Sequence, residues 1–349
     1  MDPKIALVVA TYNRARQITK LLESLERQSL ARDQWEVMIC DDGSSDETPT
    51  ALESCRQRLN YTLRIITQKN QGQCVARDQA IRSTKAAYIV IVDDDMEVKP
   101  DFLQAYFEAF ADRRKRVIIG RVYPRDDWKK YPMYEAMREH DMNESHCALA
   151  AGTLQPTGTY FITQNVGFSR EFYLEVGGFD AKLKLAEDCE LGWRFEKNSA
   201  EFIFSNAASA VHHSNIGSYH KWMQRQYDYG KYCVYIWEKY GREIHLHPLR
   251  NFVTGHPLYP ALFRSLMWSP SLLRLAPVLL RMLGETLKRM GLYTLGLYAY
   301  RAQQNIQYHR GVLDQWDGKP ELFLREVEVF CADPKRPIRP LGDGPVFLD

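Results

Sequence analysis

The sequence predicts an α/β fold, a mostly parallel sheet with helices on both faces, followed by a mainly helical C-terminal extension. Three observations predict it. Over the first hundred residues, apolar β-rich runs alternate with apolar positions at helical spacing, strand to strand roughly every thirty residues, which is the pattern of right-handed βαβ crossovers. The runs KIALVVA (4–10) and YIVIV (88–92) are apolar on both faces, as strands covered by helices on both sides must be. Beyond about residue 215 the β-rich runs give way to aromatic and aliphatic residues at helical spacing.

In order along the chain, Lys4 to Ala10 reads as the first strand, and Ile18, Leu21, Leu22 and Leu25 mark one face of a helix. Trp35 to Cys40 is the second strand. Ser44 and Glu47 then have the S-x-x-E spacing of a capping box with Pro49 close behind, so Ser44 is expected to cap a helix carrying Ala51, Leu52 and Cys55. Leu63 to Ile66 is a strand, Val75, Ala76, Ala80 and Ile81 a helix face, and Ala87 to Val92 a strand. A helix follows at Phe102 to Phe110, a strand at Val117 to Gly120, a Gly-, Pro- and Thr-rich stretch at 152–159, and a final strand at Ala207 to Val211 ending in His212-His213-Ser214. Residues 218–240 carry aromatics at helical spacing, read as core packing. Four prolines after Phe330 suggest an extended tail. The expected organisation is therefore 1–215 (halves 1–100 and 101–215), a helical extension 216–330, and a tail 331–349.

The 349 residues are 45% apolar, enough for a sizeable core. With 46 Lys+Arg against 44 Asp+Glu, no global charge points to nucleic acid. The cysteines, seven in number, form no CxxC pair, which argues against a zinc knuckle or a disulfide framework and fits a reducing cytosol. The start, MDPKIALVVATYNR, reads as a strand rather than a secretion leader. Residues 264–310 hold Arg264, Arg274, Arg281, Lys288, Arg289, Arg301 and Arg310 against the single acid Glu285. No uncharged apolar run there approaches the roughly 18 residues of a membrane span. Two readings stand open: a basic amphipathic helix lying peripherally on an anionic membrane, or a helical cap on the catalytic domain.

In an open parallel sheet, ligands bind outside the carboxyl ends of the strands. Acidic clusters stand at two such ends, Asp41-Asp42 after the second strand and Asp93-Asp94-Asp95 after the fourth. Three adjacent carboxylates repel one another, and a hard divalent cation, Mg2+ or Mn2+, offers one resolution, since such ions bind through carboxylates and substrate phosphates. The other reading is a solvated acidic turn.

Six motifs in order then carry a resemblance: ALVVATYNR (6–14), VMICDDGSSDET (37–48), NQGQCVARDQAI (70–81), IVDDDMEVKPDFL (91–103), QNVGFSREFYLEVGGFD (164–180) and AEDCELGWR (186–194). The chain resembles an inverting GT-A-fold glycosyltransferase of family 2, over roughly its first 215 residues. The resemblance implies a Rossmann-like sheet, a nucleotide-sugar donor (a UDP-sugar), Mn2+ or Mg2+, and a glycan or lipid-linked acceptor in polysaccharide, lipopolysaccharide or glycolipid synthesis. It implies that Ala10, Thr11, Tyr12 and Asn13 line the nucleobase pocket, that Asp42 with Asp41 beside it accepts hydrogen bonds from the base, and that Asn70, Gly72 and Arg77 close over the nucleotide. For Arg77, an ordinary surface salt bridge is the alternative. Asp93, Asp94 and Asp95 correspond to the DxD motif, with Asp95 on the metal and Asp93 or Asp94 reaching the ribose or the metal's water shell; Met96 stands where the family pattern adds another acid.

Glycosyl transfer needs a carboxylate to take the proton of the acceptor hydroxyl. Glu187-Asp188 corresponds to the ED motif, and Asp188 is the expected base. His212 or His213 is expected as a metal ligand or phosphate contact, Asn165 and Arg170 to shape the donor-sugar site, and Trp193 to line the acceptor pocket or pack in the core. No QxxRW motif occurs, so transfer of single sugars is expected. The alternatives are an inactive nucleotide-sugar-binding module and a sugar-nucleotide pyrophosphorylase. The latter opens on a Gly-rich phosphate loop, where this chain has TYNRARQ (11–17).

Overall fold

A computed structural model describes residues 2–214, 217–241, 244, 247–256 and 258–332. The elements run β1 (Ile5–Thr11), α1 (Ala15–Leu25), β2 (Trp35–Asp41), α2 (Thr48–Arg58), β3 (Leu63–Thr67), α3 (Gln73–Ser83), β4 (Tyr88–Val92), β5 (Met96–Val98), α4 (Phe102–Phe110), β6 (Arg116–Pro124), α5 (Met133–Ala150), β7 (Asn165–Ser169), α6 (Arg170–Glu175), α7 (Glu187–Lys197) and β8 (Glu201–His212). Six helices follow: α8 (Tyr219–Tyr240), α9 (Arg250–Thr254), α10 (Leu258–Leu266), α11 (Pro270–Arg289), α12 (Tyr293–Gln315) and α13 (Pro320–Ala332). The described residues form two compact units, one within 2–125 and 146–214, the other within 126–145 and 217–332. The segment 126–145, expected in the first domain, thus belongs with the C-terminal helices. Residues 331 and 332, expected in the tail, close α13 instead, and the rest of the expected tail, 333–349, lies outside the described residues.

The first unit holds one eight-stranded sheet in the order β3-β2-β1-β4-β7-β6-β8-β5. The strands β1 to β4 are parallel, as their two-faced apolar patterns require. Beyond β4 the sheet becomes mixed. β7 runs antiparallel to both β4 and β6, and β8 runs parallel to β6. The ends of β1, β2, β4 and β8 and the start of β7 therefore lie at the same end of the sheet. The turn Asp93–Met96, closed by Met96 N–H on Asp93 O at 3.3 Å, carries the chain to β5, where Met96 pairs with His212.

Where β6 meets β8 the register slips between Gly120 and Arg121, whose partners are Ser205 and Ser209. Asn165 holds this bulge. Its amide donates to Arg121 O (3.1 Å) and Ala208 O (2.9 Å) and accepts from the Tyr106 hydroxyl (2.7 Å). Gly120 is needed there because a Cβ would lie 2.3 Å from that amide.

The helix α2 departs from its expected start. Its N-cap is Glu47, with no side-chain cap, because Ser44 Oγ is taken by the Asn13 N–H at 2.8 Å; Asp46 Oδ1 receives the Thr48 N–H instead.

In the second unit α8 and α12 cross at two glycines: a Cβ on Gly230 would lie 2.0 Å from Tyr308 O, and one on Gly311 2.0 Å from Tyr227 O. The expected aromatic packing follows, with Trp222 buried against Tyr134 and Tyr300. Several basic side chains of 264–310 have partners within this unit. Arg281 lies 4.1 Å over the Tyr219 ring, Arg310 lies 5.2 Å over Tyr227, Lys288 donates to Tyr131 O, and Arg301 pairs with Asp141 at 2.5 Å. No helix among the described residues is long and apolar enough to cross a membrane.

Each unit contains a buried neutral histidine. His146 Nδ1 accepts the Val122 N–H, and His309 is packed among Phe252, Tyr259, Phe263 and Phe323. Burial lowers both pKa values to about 4. An unfolded imidazole titrates near 6.5, so below that pH the unfolded chain takes up protons that the folded chain refuses. Stability is therefore full above about 6.5 and falls as pH drops towards 4, by about 2 kcal/mol per histidine at roughly pH 5. Thermal melts at neutral and mildly acidic pH should show this loss, and a His146→Gln His309→Gln variant should flatten it. An unchanged acid slope in that variant would rule the histidines out.

Candidate active site

The three acids after β4 are each held by different groups of the chain. Asp93 Oδ1 accepts from Arg77 Nη2 at 2.6 Å. Asp94 Oδ2 accepts from the Thr11 hydroxyl at 2.8 Å, and its Oδ1 lies 3.4 Å from Arg14 Nη1. Asp95 Oδ2 accepts from Arg14 Nη1 at 2.9 Å, and its Oδ1 faces His212 Nε2 at 3.5 Å. Repulsion among the acids is thus offset by two arginines, a hydroxyl and an imidazole. A cation is not the only way the crowding can be resolved. Burial raises the Asp94 pKa well above the carboxylate range, and Asp93 and Asp95 push the same way, against Arg14 and Thr11. Arg14 is not among the expected site residues; the signal for it is an arginine in the turn between the end of β1 and α1.

Arg77 is not at the surface. It is buried on α3 and spans Asp93 on one side and Glu187 on the other, at 2.6 and 3.0 Å. Glu187 also accepts from Gln73 Nε2 at 2.8 Å, so the first turn of α7 is tied to the first turn of α3. Asp188 follows it, with Oδ1 accepting the Cys189 N–H at 2.8 Å, where a helix N-terminus favours negative charge. The residue before α7, Ala186, has φ 61°, a conformation disfavoured for a residue with a Cβ. Arg194 braces this turn, pairing with buried Glu190 and donating to Val176 O and Gly178 O at 2.6 Å. The GGFD loop is therefore fastened to the helix that carries Asp188.

At the end of β2, Asp42 accepts from Gln68 Nε2 (2.6 Å), Gln71 N (2.8 Å) and Gly72 N (2.8 Å). It thereby shapes the 68–72 loop. Gly72 enters α3 at φ 96°, which glycine tolerates. Its neighbour Asp41 is 1% exposed; Oδ1 accepts the Ser44 N–H, while Oδ2 has no hydrogen-bond partner. Asn13, at φ 53°, accepts from Ser45 and Asp46 N–H and so ties the β1 loop to the β2 loop. Ala10 packs on the core, whereas Tyr12 and Asn70 are exposed.

Several expected site residues have other partners. Asn165 donates to both carbonyls of the bulge and accepts from Tyr106. Arg170 donates to Ile81 O and Arg82 O, capping the C-terminal end of α3. His213 pairs with Glu97 at 3.1 Å: strand alternation turns His212 towards Asp95 and its neighbour the other way. Met96 is buried as the first residue of β5. Trp193 is buried beneath the Lys197 ammonium. Gln164, buried opposite Asp93, has neither amide atom hydrogen-bonded.

Among the described residues no three His, Cys, Asp or Glu side chains form a metal cluster. Asp95 Oδ1 and His212 Nε2 provide an oxygen and a nitrogen donor side by side. Two protein donors suit Mg2+ or Mn2+, which keep several positions for waters and substrate phosphates.

The sequence profile of glycosyl transferase family 2 matches residues 6–177. Among curated relatives, validoxylamine A glucosyltransferase of Streptomyces hygroscopicus subsp. jinggangensis is 26% identical over 62% of this chain and 58% of its own length. Chondroitin synthase of Escherichia coli is 25% identical over 61% of this chain and 35% of its own. The match thus spans little more than half of the first relative and about a third of the second. Among solved structures, the mannosyltransferase PcManGT from Pyrobaculum calidifontis, in complex with GDP-Man and Mn2+, superposes with a TM-score of 0.61 at 21% identity, covering 91% of this chain and 89% of its own.

Proposed function

We propose, on the premise that this chain is a family 2 glycosyltransferase through its residues 6–177, that it transfers one sugar from a UDP-sugar to an acceptor hydroxyl with inversion. The acceptor is a glycan or lipid-linked saccharide of polysaccharide, lipopolysaccharide or glycolipid synthesis, met in the cytoplasm. One observation carries the reading: at a single sheet end, Asp41 offers an unused buried acceptor, Asp95 and His212 a pair of cation donors, and α7 a carboxylate at Asp188.

A buried acceptor left unmade is unfavourable by about 1–3 kcal/mol. Asp41 Oδ2 therefore suits the ring N–H of a nucleobase, with Tyr12 exposed beside the loop to cover the ring. Arg77 holds Asp93 and Glu187 so that the 93–95 turn and α7 keep a fixed spacing around the donor. Bound at Asp95 and His212, Mn2+ or Mg2+ would offset the charge gathering on the leaving nucleoside diphosphate. Asp188 takes the proton of the attacking hydroxyl. Attack opposite the leaving group turns an α-linked donor into a β-glycoside.

A thermal-shift screen of UDP- and GDP-sugars, with and without Mn2+, tests this. Stabilisation by one donor is expected only with the ion, and is expected to be lost in Asp95→Ala. If no nucleotide sugar raises the melting point in an ion-dependent way, the reading fails. Ion-dependent binding with no transfer to any saccharide acceptor would instead support a binding module.

A further inference from the structure

The helix α11 has two apolar faces. One, with Leu273, Pro277 and Gly284, is buried against the second unit's own core and α12. The other carries Leu272, Leu275, Val278, Leu279, Met282 and Leu283, each 45–63% exposed. A monomer rarely leaves so continuous an apolar strip to water. Trp268, just before the helix, and Tyr298 on α12 are also exposed. Along one flank of the strip, Arg274, Arg281 and Lys288 recur every seventh residue and so form a single row. Exposed Arg289 adds to the positive charge, and the one nearby acid, Glu285, accepts the Tyr300 hydroxyl.

We infer that this face docks on an anionic lipid bilayer, with α11 lying in the plane of the surface. The apolar strip would enter the headgroup and acyl boundary while exposed Arg274 and Arg289 meet lipid phosphates and Arg281 and Lys288, held by Tyr219 and Tyr131, add positive charge behind them, the division of labour of an interfacial helix. Tryptophan and tyrosine favour that boundary because each has an apolar ring and a polar edge. A second copy of this chain fits less well. A two-fold interface sets the same patch against itself, and the basic row would then face its own like charge across the contact. The inference depends on this face alone and not on the transfer reading.

The test is flotation of the full chain with phosphatidylcholine vesicles, with and without phosphatidylglycerol, at low and high salt. Binding is expected only to the anionic vesicles and should weaken with salt. Replacing Leu275, Leu279 and Met282 together by serine should abolish binding without lowering the melting point, since these side chains are exposed. Arg274→Gln and Arg289→Gln should each weaken binding by about fivefold. Transfer to a soluble acceptor should be unchanged in the triple variant, which separates this test from that of the activity. Absence of flotation, equal flotation of the triple variant, or equal binding to neutral vesicles overturns the inference. So does a concentration-dependent dimer that the triple variant dissociates, which would assign the face to a second copy.

Discussion

Asp188→Asn is expected to lower sugar transfer by roughly 10²–10⁴-fold, the usual contribution of a positioned general base, while donor binding and melting temperature stay close to wild type. Asparagine keeps the size of the side chain and an oxygen to accept the Cys189 N–H, so the helix start survives. The negative charge and with it the ability to accept a proton are lost. Glu187 provides the control, because it stands one residue away with a different job: it is buried against Arg77 and Gln73. Glu187→Gln should therefore act mainly through stability. Measuring kcat, donor KM and melting temperature for both variants separates the two acids. If Asp188→Asn turns over as wild type does, another group is the base.

The sequence made the strand ends and their acids legible because both follow from short-range pattern: apolar runs give the strands, and charged clusters right after them mark the end at which ligands bind. The partner of each side chain was not legible. Asp42 and Asn13 look like nucleotide contacts by position, yet each also shapes a neighbouring loop, a fact that depends on donors, mostly backbone N–H groups, 26 or more residues away. His212 and His213 are adjacent in sequence, and only the pairing of Met96 with His212 decides which one faces Asp95. The part Asn165 plays in the bulge was not legible for a related reason: the register slip it bridges lies between two other strands, and nothing local to residue 165 announces it. The capping box failed because Asn13, thirty-one residues earlier, claims Ser44.

The same lesson applies most strongly to Arg77, since its effect on the site is carried through two carboxylates that lie far from it in sequence. Arg77→Met should destabilise the protein by about 3–5 kcal/mol, the range for removing one partner of a buried ion pair, because Asp93 and buried Glu187 would each lose the Arg77 guanidinium. In a unit of this size that is a melting shift of roughly 10 °C. Arg77→Lys should recover little, because an ammonium is a point charge and cannot span two carboxylates as a planar guanidinium does. Arg77→Met combined with Glu187→Leu should regain much of the stability, since an apolar pair can replace a buried ion pair with little loss. Transfer should not return in that variant, because the tie between the 93–95 turn and the helix of Asp188 is gone. Melting curves and turnover on the three variants decide the matter: a loss below about 1 kcal/mol for Arg77→Met would make the pair an ordinary surface one, and restored turnover in the double variant would show that the tie does not position the site.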